Sequence, residues 1–130
     1  MHESSIAAAV LSAIQEVYSR EGGRVRKVKV IAGELQAIDT GVLKEYLDVA
    51  LDDAGIPLHY EVVTENAEFK CRRCGRGWGL GDVEAGVDVR ELIHFMPEAA
   101  YAFLKCPSCG SGDFEIVKGR GIRLSFELGE

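Results

Sequence analysis

Two cysteine pairs, Cys71-Arg72-Arg73-Cys74 and Cys106-Pro107-Ser108-Cys109, and an opening Met1-His2-Glu3 are the residues of this chain best suited to chemistry. Each C-x-x-C bends into a turn that lets both thiolates face one ion. The glycine after each second cysteine, Gly75 and Gly110, lets backbone N–H groups approach sulfur. Four thiolates make a closed, soft, tetrahedral site, so Zn²⁺ in a Cys₄ site is the first expectation and iron in a rubredoxin-like knuckle the minor rival. A closed site leaves no open position for catalysis, so its role reads as structural. The spacer between the pairs, residues 75–105, exceeds the roughly 15–20 residues of simple ribbons, which predicts that part of it forms a helix of its own.

The amino terminus offers different donors. His2 is not small, so Met1 is expected to be retained and its amine to be the true terminus. That amine, the His2 backbone nitrogen and one imidazole nitrogen can close fused chelate rings around one ion. Three coplanar nitrogens suit Ni²⁺ or Cu²⁺. An α-amine pKa of about 7.7–8.0 predicts weaker binding as pH falls. Glu3 can add an oxygen or orient the ligands. His59 lies in a predicted strand and reads as structural or solvent-facing. His94, in Leu92-Ile93-His94-Phe95-Met96-Pro97, is either a packed histidine or a fourth nickel ligand delivered from the cysteine insert.

The elements that position these groups follow from periodicity and caps. Ile6, Val10, Ile14 and Val17 recur at helical spacing behind Ser4 and Ser5 as caps, with a stop at Gly22-Gly23. Val25–Val30 alternates as a strand. Gly33-Glu34-Leu35 is a turn. Asp39 or Thr40 caps a second helix that buries Leu43, Leu47, Ala50, Leu51 and Ala54 and ends at Gly55. A strand from Leu58 to Val63 is expected to run on toward Phe69. After the cysteines, Phe114–Val117 is a short strand, and Ile122–Leu128 alternates as a half-buried strand that pairs with those before the cysteines. The expected fold is α+β: a small mixed sheet packed by two helices (residues 1–68 and 113–130), with a Cys₄ zinc domain (69–112) inserted.

Composition bounds the remaining possibilities. The chain has 130 residues, 47% hydrophobic, enough for one packed core with a small insert. No apolar run approaches the roughly 18 residues of a membrane span, and the start does not read as a signal peptide, so a cytoplasmic location is expected. In that reducing compartment four cysteines read as metal ligands before disulfides. A formal charge of −6 argues against a dominant nucleic-acid role. The basic cluster Arg24, Arg26, Lys27, Lys29 reads as a solvated strand edge, and Arg72, Arg73, Arg76 as part of the cysteine knuckle. No G-x-x-x-x-G-K-[ST] loop, no nucleophile–base arrangement and no H-x-E near the cysteines is present, so no enzyme activity is expected. A zinc-ribbon module that binds protein or nucleic acid without transferring metal is the alternative reading.

Taken together, Met1-His2-Glu3-Ser4-Ser5-Ile6, Gly33-Glu34-Leu35, Cys71-x-x-Cys74, Cys106-Pro107-x-Cys109-Gly110-Ser111 and Phe114-Glu115-Ile116-Val117-x-Gly119 resemble the HypA family of nickel-insertion accessory proteins for [NiFe]-hydrogenase maturation. The match spans essentially the whole chain, and the long spacer looks like the archaeal form. The resemblance implies nickel at Met1, His2 and Glu3, and zinc at Cys71, Cys74, Cys106 and Cys109. It implies delivery of nickel to the hydrogenase large subunit, with the GTPase HypB and that immature subunit as partners. Some members also serve urease. A monomer or weak homodimer is expected, with neither nucleic acid nor membrane as partner. The general motif carries no role for His94.

Overall fold

A computed structural model describes residues 3–129. The expected Met1 and His2 ligands lie outside the described residues. The chain forms two compact units. One holds residues 3–31, Ile38–Val63 and the chain from Arg123 onward; the other holds Ala32–Ala37 and Thr64–Ile122. The cysteine-bearing unit is thus wider than the stretch 69–112.

The first unit is built from helices α1 (Glu3–Arg20) and α2 (Thr40–Ala54) and a three-stranded sheet of order β2-β1-β6, with β1 at Val25–Gly33, β2 at His59–Glu65 and β6 at Ile122–Leu128. Helix α1 starts one residue before Ser4, so Ser4 and Ser5 sit exposed in its first turn instead of capping it. Glu3 takes the first position, where a carboxylate favours the helix dipole. Helix α2 keeps its expected signals. Asp39 accepts the Val42 N–H at 3.1 Å, and Gly55 closes the helix in the left-handed region (φ 67°). Its buried stripe is Leu43, Leu47 and Leu51; Ala54 is exposed. Ala7, Val10 and Ile14 of α1 and Val25, Val28 and Val30 of β1 complete this core. Lys27 and Lys29 alternate outward with buried Val28 and Val30, as a two-residue period requires, while Arg26, next to Lys27, is exposed as well. Glu61 of β2 lies 3.6 Å from Lys27 and 3.7 Å from Lys29.

The expected run from Leu58 to Phe69 is broken. β2 ends at Glu65, and β3 (Glu68–Cys71) belongs to a second sheet of order β4-β3-β5, with β4 at Gly77–Trp78 and β5 at Phe114–Lys118. Both neighbours of β3 are antiparallel, pairing Phe69 with Trp78 and Cys71 with Phe114. The break falls at Ala67, which is buried and donates its N–H to Glu34 Oε1 at 2.7 Å, so it is unavailable to a continuous ladder. The spacer supplies α3 (Val87–Phe95) and α4 (Ala100–Phe103), in line with the helix its length predicts. Phe69, Trp78 and Phe114 form an aromatic cluster with ring centroids 4.5–5.3 Å apart. Leu35, Leu80, Ile93, Ala100 and Leu104 pack around it.

The Gly33-Glu34-Leu35 motif belongs to this second unit. Residues Glu34–Gln36 make one 3-10 turn, ended by Ala37 in the left-handed region (φ 47°). The Leu35 N–H reaches the Gly119 carbonyl at 2.9 Å, and the Gly33 N–H reaches the Gly121 carbonyl at 2.8 Å. A Cβ on Gly33 would lie 2.3 Å from the Gly119 oxygen. The motif therefore reads as a backbone crossing that only glycine permits, locked by a carboxylate and a buried leucine.

Candidate metal centre

The two C-x-x-C turns repeat one geometry. In the first, the Cys71 N–H donates to the Arg76 carbonyl (2.9 Å) and the Gly75 N–H to the Cys71 carbonyl (3.0 Å). In the second, the Cys106 N–H donates to the Ser111 carbonyl (2.9 Å) and the Gly110 N–H to the Cys106 carbonyl (2.8 Å). Gly75 (φ 79°) and Gly110 (φ 75°) adopt the left-handed conformation that turns each chain back beneath its sulfurs. Arg72 Nη1 bonds Asp113 Oδ1 and the Phe114 carbonyl, each at 3.0 Å, and Arg76 Nη1 bonds Ser108 Oγ at 2.8 Å, tying the turns together.

This arrangement brings Cys71, Cys74, Cys106 and Cys109 into one cluster, all four sulfurs within 4.8 Å of one another. Cys71 and Cys106 are buried, while Cys74 and Cys109 face solvent. The Cys71–Cys109 and Cys74–Cys106 sulfurs are 3.5 and 3.6 Å apart. That is far beyond a disulfide bond of about 2.05 Å. It is close to the roughly 3.8 Å edge of a tetrahedron with metal–sulfur bonds of about 2.3 Å. The donor set therefore fits a four-coordinate thiolate ion.

Electrostatics point the same way. The Cys74 N–H, 3.4 Å from Cys71 Sγ, together with the Arg73 N–H and neighbouring sulfurs, draws the Cys71 thiol down to about 6 against the cost of burial. The Cys109 and Ser108 N–H groups lower Cys106 likewise. Cys74 is stabilised as thiolate by the Arg76 N–H, but Cys106, burial, Cys71 and Cys109 together push it up to about 11. The backbone thus favours thiolates that repel one another, a conflict that a cation at the centre of the four sulfurs removes.

The remaining expected ligands are placed as follows. Glu3 stands at the start of α1, and its Oε2 accepts the Asp39 N–H at 3.3 Å, joining the first turns of α1 and α2. His94 lies in the last turn of α3, half-buried, its ring 5.4 Å from that of Phe95. Among the described residues the four cysteines are the one cluster of three or more His, Cys, Asp or Glu arranged to hold a metal ion. His59 is exposed on β2. Sequence reasoning missed the shell around the sulfurs: Asp113 and Ser108, which hold the knuckle arginines, and the Phe69–Trp78–Phe114 cluster behind Cys71. The single tryptophan a few residues past a C-x-x-C was the available signal.

Fold and site define a small protein of mixed helices and two small sheets with a tetrathiolate metal-binding module. The family model described as "Hydrogenase/urease nickel incorporation, metallochaperone, hypA" matches residues 1–127. The hydrogenase maturation factor HypA of Pyrococcus furiosus is 43% identical over 130 residues, covering 96% of this chain and 93% of that one. The protein of the same name from Thermococcus kodakarensis is 43% identical over 131 residues, with the same coverage. The solution structure of the Ni metallochaperone HypA from Helicobacter pylori shares the fold with a TM-score of 0.60 at 20% identity, over 99% of this chain and 98% of that one. The chain belongs to the HypA family of hydrogenase/urease nickel-incorporation metallochaperones. No helix among the described residues is long and apolar enough to cross a membrane.

Proposed function

We propose that this protein binds Ni²⁺ at its amino terminus and delivers it for insertion into the large subunit of a [NiFe]-hydrogenase during maturation. The observation that carries this reading is a nickel-incorporation family match over residues 1–127, on a chain whose four cysteines form a cluster of their own able to hold a metal ion. The nickel ligands are the Met1 amine and backbone and imidazole nitrogens of His2, with Glu3 as an oxygen donor or orienting group and His94 as a fourth ligand. Few, exchangeable nitrogen ligands hold the cargo loosely enough to pass it on. Cys71, Cys74, Cys106 and Cys109 hold structural Zn²⁺, which when bound supplies a cross-link between the two turns. The amino-terminal nickel ligands belong to the part made of 1–68 and 113–130, and the zinc module, which carries His94, to 69–112 within its wider compact unit.

The protein acts in the cytoplasm as a monomer or weak homodimer, with no catalysis of its own and neither nucleic acid nor membrane as partner. Its partners are the GTPase HypB and the immature large subunit. Nucleotide hydrolysis belongs to HypB, because this chain has no phosphate-binding glycine loop. The test loads the untagged protein with radioactive nickel and mixes it with the immature large subunit, with and without HypB and GTP. Nickel moving to the large subunit supports the reading; nickel retained under all conditions overturns it. His94→Ala is expected to change the nickel absorption spectrum, and an unchanged spectrum removes His94 from the ligand set.

A further inference from the structure

Among the described residues, eleven large apolar side chains are exposed, and six of them lie between residues 87 and 103. Four cluster on α3 and the turn after it: Val87 (76% exposed), Phe95 (66%), Met96 (55%) and Leu92 (40%). This is not the core-facing side of the helix. That side carries Ile93, 2% exposed, with Val89 packed beside it against the aromatic core. At 3.6 residues per turn, Leu92 and Phe95 stand three apart on the side turned away from Ile93 and Val89, and Met96 follows just past the helix end in an extended conformation (φ −143°). Asp88 stands one turn before Leu92 and Glu91 one turn before Phe95, so two carboxylates share the outward face with the apolar residues. Both are exposed, and neither makes an ion pair among the described residues. The one cation of α3, Arg90, stands on another side, beside Ile93, with its Nε on the Ala85 carbonyl at 3.3 Å.

An outward helix face normally pairs Glu or Asp with Lys or Arg at i+3 or i+4. Here the i+4 positions, Leu92 and Phe95, are apolar, the i+3 position of Glu91 is His94, and the like charges Asp88 and Glu91 stand three apart. This pattern departs from local rules in the manner of a binding surface. We propose that this outward face is a docking surface for a partner-protein segment that is itself apolar with a lysine- or arginine-rich rim. The interleaved carboxylates select that occupant. A second copy docked by twofold symmetry would set Asp88 and Glu91 against themselves. An anionic lipid surface would meet the same two charges.

The test uses two synthetic amphipathic peptides of about 14 residues, roughly four helical turns. Both carry leucine at i, i+3, i+4, i+7 spacing; one is flanked by lysine and the other by glutamate. Binding to the zinc-loaded full chain is read by fluorescence anisotropy at about 0.1 M salt, where charges act over about 10 Å. The lysine peptide should bind at least about tenfold more tightly than the glutamate peptide. Phe95→Asp should weaken it about tenfold or more although it adds negative charge, whereas Val49→Asp, on exposed α2, should not. Asp88→Lys with Glu91→Lys should reverse the preference between the peptides. Equal binding of the two peptides, or indifference to Phe95→Asp in a chain with unchanged circular dichroism, overturns the proposal. So does a sedimenting dimer, or binding to phosphatidylserine vesicles, that Phe95→Asp abolishes.

Discussion

Replacing Gly119 with alanine is the sharpest structural test of the backbone crossing that links the Gly33-Glu34-Leu35 turn to the end of β5. Gly119 adopts φ 90°, and an added Cβ would stand 2.4 Å from Ala67 Cα and 2.7 Å from its nitrogen. Backbone atoms cannot swing aside as a flexible side chain can, so the segment must shift. A shift disturbs the Leu35 N–H bond to the Gly119 carbonyl (2.9 Å) and the Gly119 N–H bond to Glu65 Oε1 (3.2 Å). Left-handed strain of about 1–2 kcal/mol, overpacking of about 1–3 kcal/mol and two weakened hydrogen bonds of about 0.5–1.5 kcal/mol each sum to roughly 3–8 kcal/mol. Two glycines calibrate the estimate. Gly121 has φ 77° but nothing within 4 Å of an added Cβ, so alanine there costs only the conformational part, about 1–2 kcal/mol. Gly81 has neither constraint, and alanine should be neutral or stabilising by about 0.4–1 kcal/mol. Trp78 is the only tryptophan and is 3% exposed in the core of this unit, so its fluorescence in a guanidinium titration of zinc-loaded protein reports on the right unit. The expected order of destabilisation is Gly119, then Gly121, then Gly81. A Gly119→Ala protein no less stable than Gly121→Ala would refute the close approach.

Asp39→Ala should cost about 0.5–2 kcal/mol by leaving the Val42 N–H of α2 uncapped, measured by chemical unfolding with circular dichroism. Burial, then the hydrogen bond to Asp48 and that residue's charge, raise the Tyr60 phenol well above its ordinary value. A raised folded-state value means its stabilisation is complete below about pH 10, the unfolded value, and is lost as pH climbs toward the folded one. Stability should therefore decline above about pH 10 in the native chain, and Tyr60→Phe should flatten that decline while costing about 0.5–1.5 kcal/mol at neutral pH. Cys106→Ser should leave less than one zinc per chain by elemental analysis and lower the Trp78 unfolding midpoint, since structural zinc contributes about 10–16 kcal/mol in small zinc-finger peptides.

Much of the site was legible because its determinants are local. Two C-x-x-C turns and their glycines encode ligand direction within a few residues, and the structure converges all four sulfurs. The caps of α2 were legible for the same reason, since Asp39 and Gly55 act on their own helix ends. The alternation of Ile122–Leu128 forecast a strand that returns to the earlier sheet, and it lies beside β1. What sequence pattern hid was long-range competition. The apparent continuity from β2 toward Phe69 yields at Ala67, because Glu34, far away in the chain, takes its N–H. The pairing of β5 with β3 depends on the register of Cys71 against Phe114, which neither strand specifies alone. Ser4 and Ser5 looked like caps because the pattern favours serine there, but Glu3 can start the helix and bond Asp39 as well. Residues Ala32–Ala37 join the cysteine-bearing unit through glycine contacts that leave only a short G-E-L signature in the sequence.

Native mass spectrometry of the untagged protein after loading with zinc and nickel decides whether nickel sits at the amino terminus. One zinc and one nickel per chain are expected, with His2→Ala or an extension before Met1 removing the nickel and leaving the zinc. Nickel that stays at full occupancy in both altered proteins, or leaves only when Cys71 or Cys106 is replaced, would contradict an amino-terminal site.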